Sequence, residues 1–170
     1  MPSDRRVGVR SATRRGGTPA TAALAAAGIA FTEHAYTHDP AAPAYGPEAA
    51  AALGVEPAQA YKTLVVRAGT ALAVALIPVD RRLDLKAMAS ALGVKAVTMA
   101  EPADAERSSG YVVGGISPLG QRTALATVLD DSMGAWEIVY VSGGRRGFEV
   151  SLAPADLAAL TGARFAPIAR

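Results

Sequence analysis

The sequence predicts an α+β domain whose curled, mostly antiparallel mixed sheet of about seven strands approaches a barrel and is flanked by four or five helices. Short apolar or alternating segments recur along the chain, and most are joined by hairpin turns, which favours antiparallel pairing. Alanine-rich helical segments lie between them and end at glycines, as helices commonly do. A length of 170 residues and a hydrophobic content of 51% are sufficient for one domain with its own core.

The first 17 residues differ from the rest in composition. Residues 1–17 hold five arginines and one aspartate without hydrophobic periodicity, so we predict a disordered basic arm there and a single domain over 18–170. The whole chain has a net charge of +2, and without the arm the domain is at net −2. Attraction to nucleic acid would therefore come from the arm or from a local patch, although an inert tail is the simpler interpretation.

Capping residues and alternation define the elements of the first half. Thr18-Pro19 opens a helix, because threonine caps helix N-termini and proline suits the first helical position. Residues 71–79 are apolar on both faces, so this strand should be central in the sheet. The predicted elements are a helix from Thr18 to Gly28, a strand over 29–36, a loop over 37–47, a helix over 48–53, a hairpin of strands 61–67 and 71–79, a helix over 85–92 capped by Asp84, and a strand over 94–99.

In the second half the predicted strands are shorter, and two of them run into glycines. The predicted elements are a polar helical turn over 101–108, a strand starting at 111–113, strands over 123–129, 137–141 and 148–152, and a last helix from Pro154 to Gly162. The strands over 137–141 and 148–152 are expected to pair around their intervening turn. No internal repeat or linker interrupts this order.

Composition excludes several kinds of chemistry. The chain has no cysteine, so disulfides, thiolate zinc sites and a cysteine nucleophile are ruled out. No apolar run reaches the length of a membrane span, and the start lacks the hydrophobic segment of a secretory signal, so we expect a cytoplasmic protein. His34 and His38 are four residues apart but fall on a strand and a loop, so a metal site is not predicted.

Two segments carry the glycines expected of a ligand pocket. The first, 111–120, reads YVVGGISPLG, and the second, 141–147, reads VSGGRRG. Gly114 and Gly115 tolerate positive φ and the close approach of a ligand, and such backbone presents N–H groups to an oxyanion or phosphate. Each segment could instead be a tight turn between strands. Their occurrence as a pair, the second with adjacent arginines, favours two walls of one pocket.

Few side chains outside the arm suggest chemistry. Lys62 lies inside an apolar strand, where it is either an outward-facing edge residue or a partly buried cation directed at a carbonyl or phosphate. Ser142 lacks the G-x-S-x-G surroundings of a nucleophile elbow, so a turn serine is the simpler interpretation. Arg145 and Arg146 are either a solvated loop tip or ligands of phosphate.

Several motifs, in their order and spacing, resemble the YbaK/EbsC family of aminoacyl-tRNA deacylases, relatives of the editing domain of bacterial prolyl-tRNA synthetase. The matching segments are TPA at 18–20, YTHDP at 36–40, YKTL at 61–64, LDLK at 83–86, GYVVGGISPLGQ at 110–121 and YVSGGRRG at 140–147. The resemblance covers nearly everything except the arm and is greatest for the branch that hydrolyses Cys-tRNA(Pro). It implies that family's fold, a curled mixed sheet flanked by helices.

The resemblance also implies a set of site residues. In the family, the strand lysine, the GGISP loop, the second glycine junction and two aromatic positions line the site. Carried over to this sequence, the catalytic residues are Lys62, Gly114, Gly115 and Ile116, and the substrate-binding residues are Tyr36, Tyr45, Ser117, Pro118, Ser142, Gly143, Arg145, Arg146 and Glu149. Two positions depart from the family pattern: Tyr45 stands where phenylalanine is common, and Glu149 stands where aspartate is common.

As a family member, the chain would be a trans-editing hydrolase that removes cysteine from mischarged Cys-tRNA(Pro). The resemblance implies that the substrate's own thiol attacks the ester carbonyl and that the acyl group leaves as a thiolactone. Our hypothesis is that backbone N–H groups near Gly114 to Ile116 bind the carbonyl oxygen and that Lys62 neutralises charge at the carbonyl or at the terminal ribose. No metal or cofactor is expected, and the expected partners are tRNA(Pro) and prolyl-tRNA synthetase. The alternatives are a water-using deacylase for Ala-tRNA(Pro) or another small aminoacyl-tRNA, and a tRNA- or synthetase-binding module without catalysis.

Overall fold

The computed structural model describes residues 17–170 and divides the strands of that range between two open sheets. The α helices are α1 (Pro19–Ala26), α2 (Tyr45–Leu53), α3 (Leu85–Leu92), α4 (Pro102–Ser109) and α5 (Pro154–Thr161). The strands are β1 (Thr32–Ala35), β2 (Tyr61–Ala68), β3 (Ala71–Pro78), β4 (Thr98–Met99), β5 (Ala126–Asp130), β6 (Val139–Arg145), β7 (Phe148–Leu152) and β8 (Arg164–Ala166). The arm predicted over residues 1–17 lies outside the described residues except for Gly17.

One sheet is antiparallel and the other is mixed. The order β1-β7-β6 forms the three-stranded antiparallel sheet, and β4-β2-β3-β5-β8 forms the five-stranded sheet, in which β5 runs parallel to both β3 and β8. A parallel bridge between Ala60 and Tyr140 joins the start of β2 to β6. The predicted α+β class and mixed sheet are confirmed. The predicted barrel is not, because neither sheet closes on itself within residues 17–170.

Capping explains where several helices begin. Thr18 Oγ1 accepts a hydrogen bond from Thr21 N–H at 3.3 Å, and Thr21 Oγ1 accepts one from Thr18 N–H at 3.0 Å. Asp84 starts α3 by accepting from Ala87 N–H at 3.0 Å. The helix α2 starts earlier than predicted, because Pro47 falls in its first turn, where no backbone N–H is needed.

Three strands are shorter than predicted, because the first N–H groups of each predicted strand donate to carbonyls of the helix before it. Ile29 N–H donates to Leu24 O at 3.1 Å and Val94 N–H donates to Ala89 O at 3.0 Å, so both segments first complete a helix end. Thr123 N–H donates to the last turn of α4, at Ser108 O, which delays β5 to Ala126. The polar helical turn over 101–108 is a complete helix, α4. The short edge strand β8 was not predicted.

The prediction of a strand beginning at 111–113 is wrong. Gly110 ends α4 with φ +81°, and the next residues fold back on that helix instead of joining a sheet. Val113 N–H donates to the Glu106 carboxylate at 3.0 Å, and Gly115 N–H donates to Val112 O at 2.9 Å. The Tyr111 ring is buried, and its hydroxyl donates to Leu119 O at 2.6 Å. The aromatic and β-branched composition therefore reflects an anchored loop.

The five-stranded sheet separates two apolar clusters. Leu76, Leu129 and Tyr61 contribute to the larger one, which β6, β7, α1 and α5 cover. Ile77 and Val66 contribute to the smaller one, which α3 covers. Because side chains alternate along each strand, residues next to each other in β2 face different clusters. The edge of β2 between the bridge at its start and its short pairing with β4 is left open, and it is here that the candidate site lies.

Candidate active site

A cavity of about 410 Å³ opens along the free edge of β2. Its walls are residues 61–65 of β2, the N-terminal turn of α2, the segment leading into α4, the glycine loop after α4 and the facing strands β6 and β7. Six of the predicted site residues line it: Tyr45, Lys62, Gly114, Ile116, Ser142 and Glu149. Much of the remaining lining is apolar, as is common for small-molecule pockets.

The edge of β2 brings polar main-chain groups to this cavity. Val79 N–H donates to Ala60 O at 2.9 Å, and Pro78, which has no N–H, lies opposite Tyr61, so odd-numbered residues of β2 direct their main-chain groups away from β3. Thr63 is one of these residues. Its hydroxyl is buried and makes no hydrogen bond within residues 17–170. The Thr63 hydroxyl is therefore available to a bound ligand.

Lys62 is half-buried on the face of β2 that looks toward α3. Burial lowers the pKa of Lys62, the Asp80 carboxylate opposes this shift, and the Arg82 guanidinium adds to it. In the described part of the chain no carboxylate lies within 4.0 Å of the Lys62 ammonium. A desolvated cation without a tight partner can interact with the oxygen of a bound ester.

The first glycine loop supplies unused N–H groups at two of its three predicted positions. Gly114 and Ile116 line the cavity, and their N–H groups have no partner in the range that the structure covers. Gly115 differs, because its N–H closes a turn onto Val112 O and it does not line the cavity. Only glycine fits at position 114, where φ is +88° and a Cβ would approach the Tyr45 ring to 2.7 Å.

The two glycine segments touch each other, as two walls of one pocket should. A Cβ on Gly115 would lie 2.7 Å from the Arg145 Cα, so the loop packs directly on that backbone. Arg146 reinforces the contact, because its Nε and Nη2 donate to Val113 O at 3.0 and 2.8 Å. Its guanidinium also lies 5.1 Å from the Tyr45 ring centroid. Arg146 therefore fixes the first loop.

Most of the second segment belongs to β6, whose register against β7 shifts between Ser142 and Arg145, so that its glycines form a bulge. Ser142 lines the cavity as a strand residue opposite Glu149, not as the turn serine expected from the sequence, and its Oγ accepts a hydrogen bond from Gly144 N–H at 3.2 Å. Gly143 is buried against the Phe148 ring, and its carbonyl accepts from the Thr18 hydroxyl. The Arg145 guanidinium stacks 4.3 Å from the centroid of the same ring.

An acidic group lies at the β7 side of the cavity. Burial raises the pKa of Glu149 to about 8, so this carboxyl holds its proton near neutrality. Tyr36 lies close enough to Glu149 to be affected by its charge. Burial raises the pKa of Tyr36 to about 12, and the charges of Glu149 and Glu48 add to the shift. His38 Nδ1 contacts the Glu48 carboxylate at 2.7 Å, and this hydrogen bond lowers the pKa of Glu48.

Several predicted residues are not in the lining. Ser117 and Pro118 are buried, and Ser117 Oγ accepts from Leu119 N–H at 3.2 Å, so these residues shape the loop from behind. Tyr36, Gly115, Gly143, Arg145 and Arg146 also lie outside the lining, around its rim or behind its walls. Thr63 lines the cavity and was missed, because a threonine in a strand is ordinarily chosen for its β-branch.

Other chemistry is limited in this range. Residues 17–170 hold no cluster of three or more His, Cys, Asp or Glu side chains that could bind a metal ion. No described helix is both long and apolar enough to cross a bilayer. His34 Nε2 contacts Ser151 Oγ at 2.8 Å, but this pair lies between β1 and β7, outside the cavity lining.

Comparison with known proteins relates this chain to aminoacyl-tRNA editing domains. Residues 39–160 match the aminoacyl-tRNA editing domain family. EbsC of Enterococcus faecalis, a proposed Cys-tRNA(Pro)/Cys-tRNA(Cys) deacylase, is 40% identical over 120 residues, covering 70% of this chain and 73% of EbsC.

Two solved structures share the fold over nearly their whole length. A proposed trans-editing enzyme for prolyl-tRNA synthetase aligns with a TM-score of 0.77 and 28% identity, over 89% of this chain and 95% of that one. The hypothetical protein APE2540 aligns with a TM-score of 0.79 and 27% identity, over 90% and 100%. With its editing-domain match, its 40% identical relative and this shared fold, the chain belongs to the YbaK/EbsC family of aminoacyl-tRNA editing domains.

Proposed function

We propose that this protein is a trans-editing deacylase that removes cysteine from mischarged Cys-tRNA(Pro). The observation that carries the proposal is one cavity that combines the Lys62 cation with unused N–H groups at Gly114 and Ile116. Donors fixed around a carbonyl oxygen stabilise the negative charge that develops when an ester is attacked. The named activity of EbsC supports the choice of substrate.

The protein supplies few groups for attack on the ester. Ser142 Oγ is bound by Gly144 N–H, and no histidine lines the cavity, so no Ser–His pair is available there. A cysteinyl ester carries its own nucleophile. Its thiol sulfur attacks the carbonyl carbon, the bond from that carbon to the ribose oxygen breaks, and the thiol proton passes to the departing ribose oxygen, which becomes a hydroxyl. The products are a thiolactone and free tRNA.

In this mechanism the chain orients the ester and stabilises charge. The N–H groups of Gly114 and Ile116 bind the carbonyl oxygen, and Lys62 neutralises the charge that develops on it or on the ribose. The Thr63 hydroxyl, buried and without a partner in the described residues, accepts or donates one further hydrogen bond to the substrate. Ser142 and Tyr45 bound the space for the terminal adenosine.

A second candidate activity is hydrolysis of Ala-tRNA(Pro) by water, and one observation favours it. Glu149 faces the cavity with a pKa raised to about 8, which makes it a competent general base once it is deprotonated. Under this alternative the rate would rise with pH through the range in which Glu149 ionises. Under the thiol mechanism the rate would instead follow the ionisation of the substrate's thiol and would not change in Glu149→Gln.

The test is a side-by-side assay of Cys-tRNA(Pro) and Ala-tRNA(Pro) with three proteins. We expect the wild type to release cysteine, Lys62→Ala to lose about 10²-fold or more in rate, and Lys95→Ala, an exposed lysine outside the lining, to retain full activity. Release of alanine that disappears in Glu149→Gln would identify the water mechanism. Binding of tRNA without release of either amino acid would favour the alternative of a binding module without catalysis. A fully active Lys62→Ala protein would remove Lys62 from the mechanism.

A further inference from the structure

A short antiparallel ribbon holds the turn after β3 against the last residues of the chain. Arg82 N–H donates to Arg170 O at 3.0 Å, and Arg170 N–H donates to Arg82 O at 2.8 Å. The adjoining bridge pairs Leu83 with Ala169. Arg82 and Arg170 are therefore direct cross-strand partners, whose side chains leave the ribbon on the same side.

The ribbon is anchored, so the spacing of the two arginines is fixed by the main chain. Leu83 and Ala169 point the other way, into the apolar cluster that α3 covers, whereas both arginines are exposed. Beneath the ribbon, the buried carboxylate of Asp130 accepts hydrogen bonds from two successive N–H groups of its second strand, each at 3.0 Å.

Within residues 17–170, no acidic side chain pairs directly with either of the two like charges. No carboxylate of the described residues lies within 4.0 Å of either guanidinium, and neither side chain makes a hydrogen bond there. Elsewhere the chain does pair its arginines: Asp104 binds Arg67 at 2.7 Å and Arg107 at 2.9 Å. Like charges directly opposite each other destabilise an antiparallel pair, so an anion that bridges them would stabilise it.

This arginine pair lies next to the cavity. Val79 lines the cavity, and Arg81 N–H closes the following turn onto Pro78 O at 3.1 Å. Arg82 is also one of the charged groups that bear on the pKa of Lys62, after burial and the Asp80 carboxylate, so Arg82 lies on the Lys62 side of the site. In contrast, Arg146 on the opposite side is bound to the glycine loop.

We propose that Arg82 and Arg170, assisted by Arg81, bind a backbone phosphate of the RNA whose aminoacylated end enters the cavity. Arginines at directly opposite positions of a ribbon can bring both guanidinium groups to one phosphodiester, which they bind with paired N–H donors. Such a contact positions the RNA and carries no sequence information. This inference rests on the proposed function, because it takes an RNA ester as the substrate.

The test measures the binding of unacylated tRNA by the full chain as a function of salt concentration. Arg82→Gln, Arg170→Gln and the double variant are compared with Arg164→Gln, an exposed arginine on β8. We expect each single variant to weaken binding and to reduce the slope of log Kd against log salt by about 1, and Arg164→Gln to change neither. If both arginines share one phosphate, the double variant should lose little more than either single variant.

The outcomes separate this inference from the proposed function. A slope that changes equally in Arg82→Gln and Arg164→Gln, or in neither, would overturn the phosphate site even if Cys-tRNA(Pro) is hydrolysed. A smaller salt slope in Arg82→Gln and Arg170→Gln, but not in Arg164→Gln, would support the site even if no amino acid is released from the tRNA. A folded-state readout is independent of both: without phosphate in the buffer, Arg82→Gln should unfold at the same or a slightly higher temperature, since it removes a like-charge pair.

Discussion

A single residue of this site could be predicted from the sequence where its type is unusual for the element that carries it. Lys62 stands out in the sequence because a lysine inside an apolar strand has few structural reasons to be there, and it does line the cavity. Ser117 and Arg146 resemble ligand-binding residues in sequence but serve the loop in the structure. A sequence pattern identifies polar groups near a site, whereas the partner that each group already has depends on the tertiary contacts.

Gly114→Ala should abolish deacylation. Its φ of +88° strains any side chain, and the new Cβ would collide with the Tyr45 ring at 2.7 Å, which displaces the N–H groups of the loop. Gly69→Ala is the matched control, since φ there is +64° with no atom within 4 Å of the added Cβ. Both variants should lose about 1 kcal/mol or more of stability, measured by urea unfolding, and only Gly114→Ala should lose activity. An active Gly114→Ala protein would contradict the oxyanion role.

Glu149 makes stability depend on pH. The folded pKa of Glu149, about 8, lies above the ordinary value of 4.5, so the folded state binds more protons between these values and stability falls as pH rises through this window. Glu149→Gln should therefore unfold with the wild type at pH 5 and at a higher temperature at pH 9, with each kcal/mol giving about 2–4 °C. Equal melting temperatures at both pH values would show that Glu149 is solvated and ionised normally.

At the scale of elements, the bounds that the sequence predicted best are those set by local signals. The helix over 85–92 and the strand over 148–152 have their predicted bounds, because an aspartate cap, a terminal glycine and a tight turn define them. The prediction of a strand at 111–113 was wrong because the N–H groups of Tyr111 and Val113 donate to side chains of α4. Strand composition alone does not reveal such hydrogen bonds. The parallel placement of β5 and β8 likewise depends on the whole chain.

Asp130 links three elements and should be a stability determinant. Asp130 is the last residue of β5, and its buried carboxylate caps the 3-10 helix Asp131–Ala135 through Ser132 N–H and holds the ribbon through the N–H groups of Ile168 and Ala169. Asp130→Ala would leave buried N–H groups unpaired and should cost about 2–4 kcal/mol by chemical denaturation. Asp131→Ala, an exposed neighbour, should change stability by less than about 0.5 kcal/mol. A comparable loss in both variants would mean that the ribbon is held by other contacts.

At the scale of the whole molecule, the site depends on a gap between two sheets. The edge of β2 is bridged to β6 at Ala60 and covered by β4 at Val66, and the residues between are left for a ligand. The sequence predicted two glycine walls but not this gap, because strand order is a property of the assembled sheets.

The basic arm should add affinity for RNA without affecting the chemistry. The arginines of residues 1–17 lie outside the net −2 domain, so they can bind phosphates in a way that carries no sequence information. A deletion of residues 1–16 keeps Thr18, whose hydroxyl binds the Gly143 carbonyl and supports the second glycine segment. We expect this deletion to lower the salt slope of tRNA binding by about 0.7–0.9 for each phosphate that the arm neutralises, while kcat for Cys-tRNA(Pro) at saturating substrate stays the same. An unchanged slope would show that the domain alone binds the RNA, and the arginine pair at Arg82 and Arg170 would then account for more of the attraction.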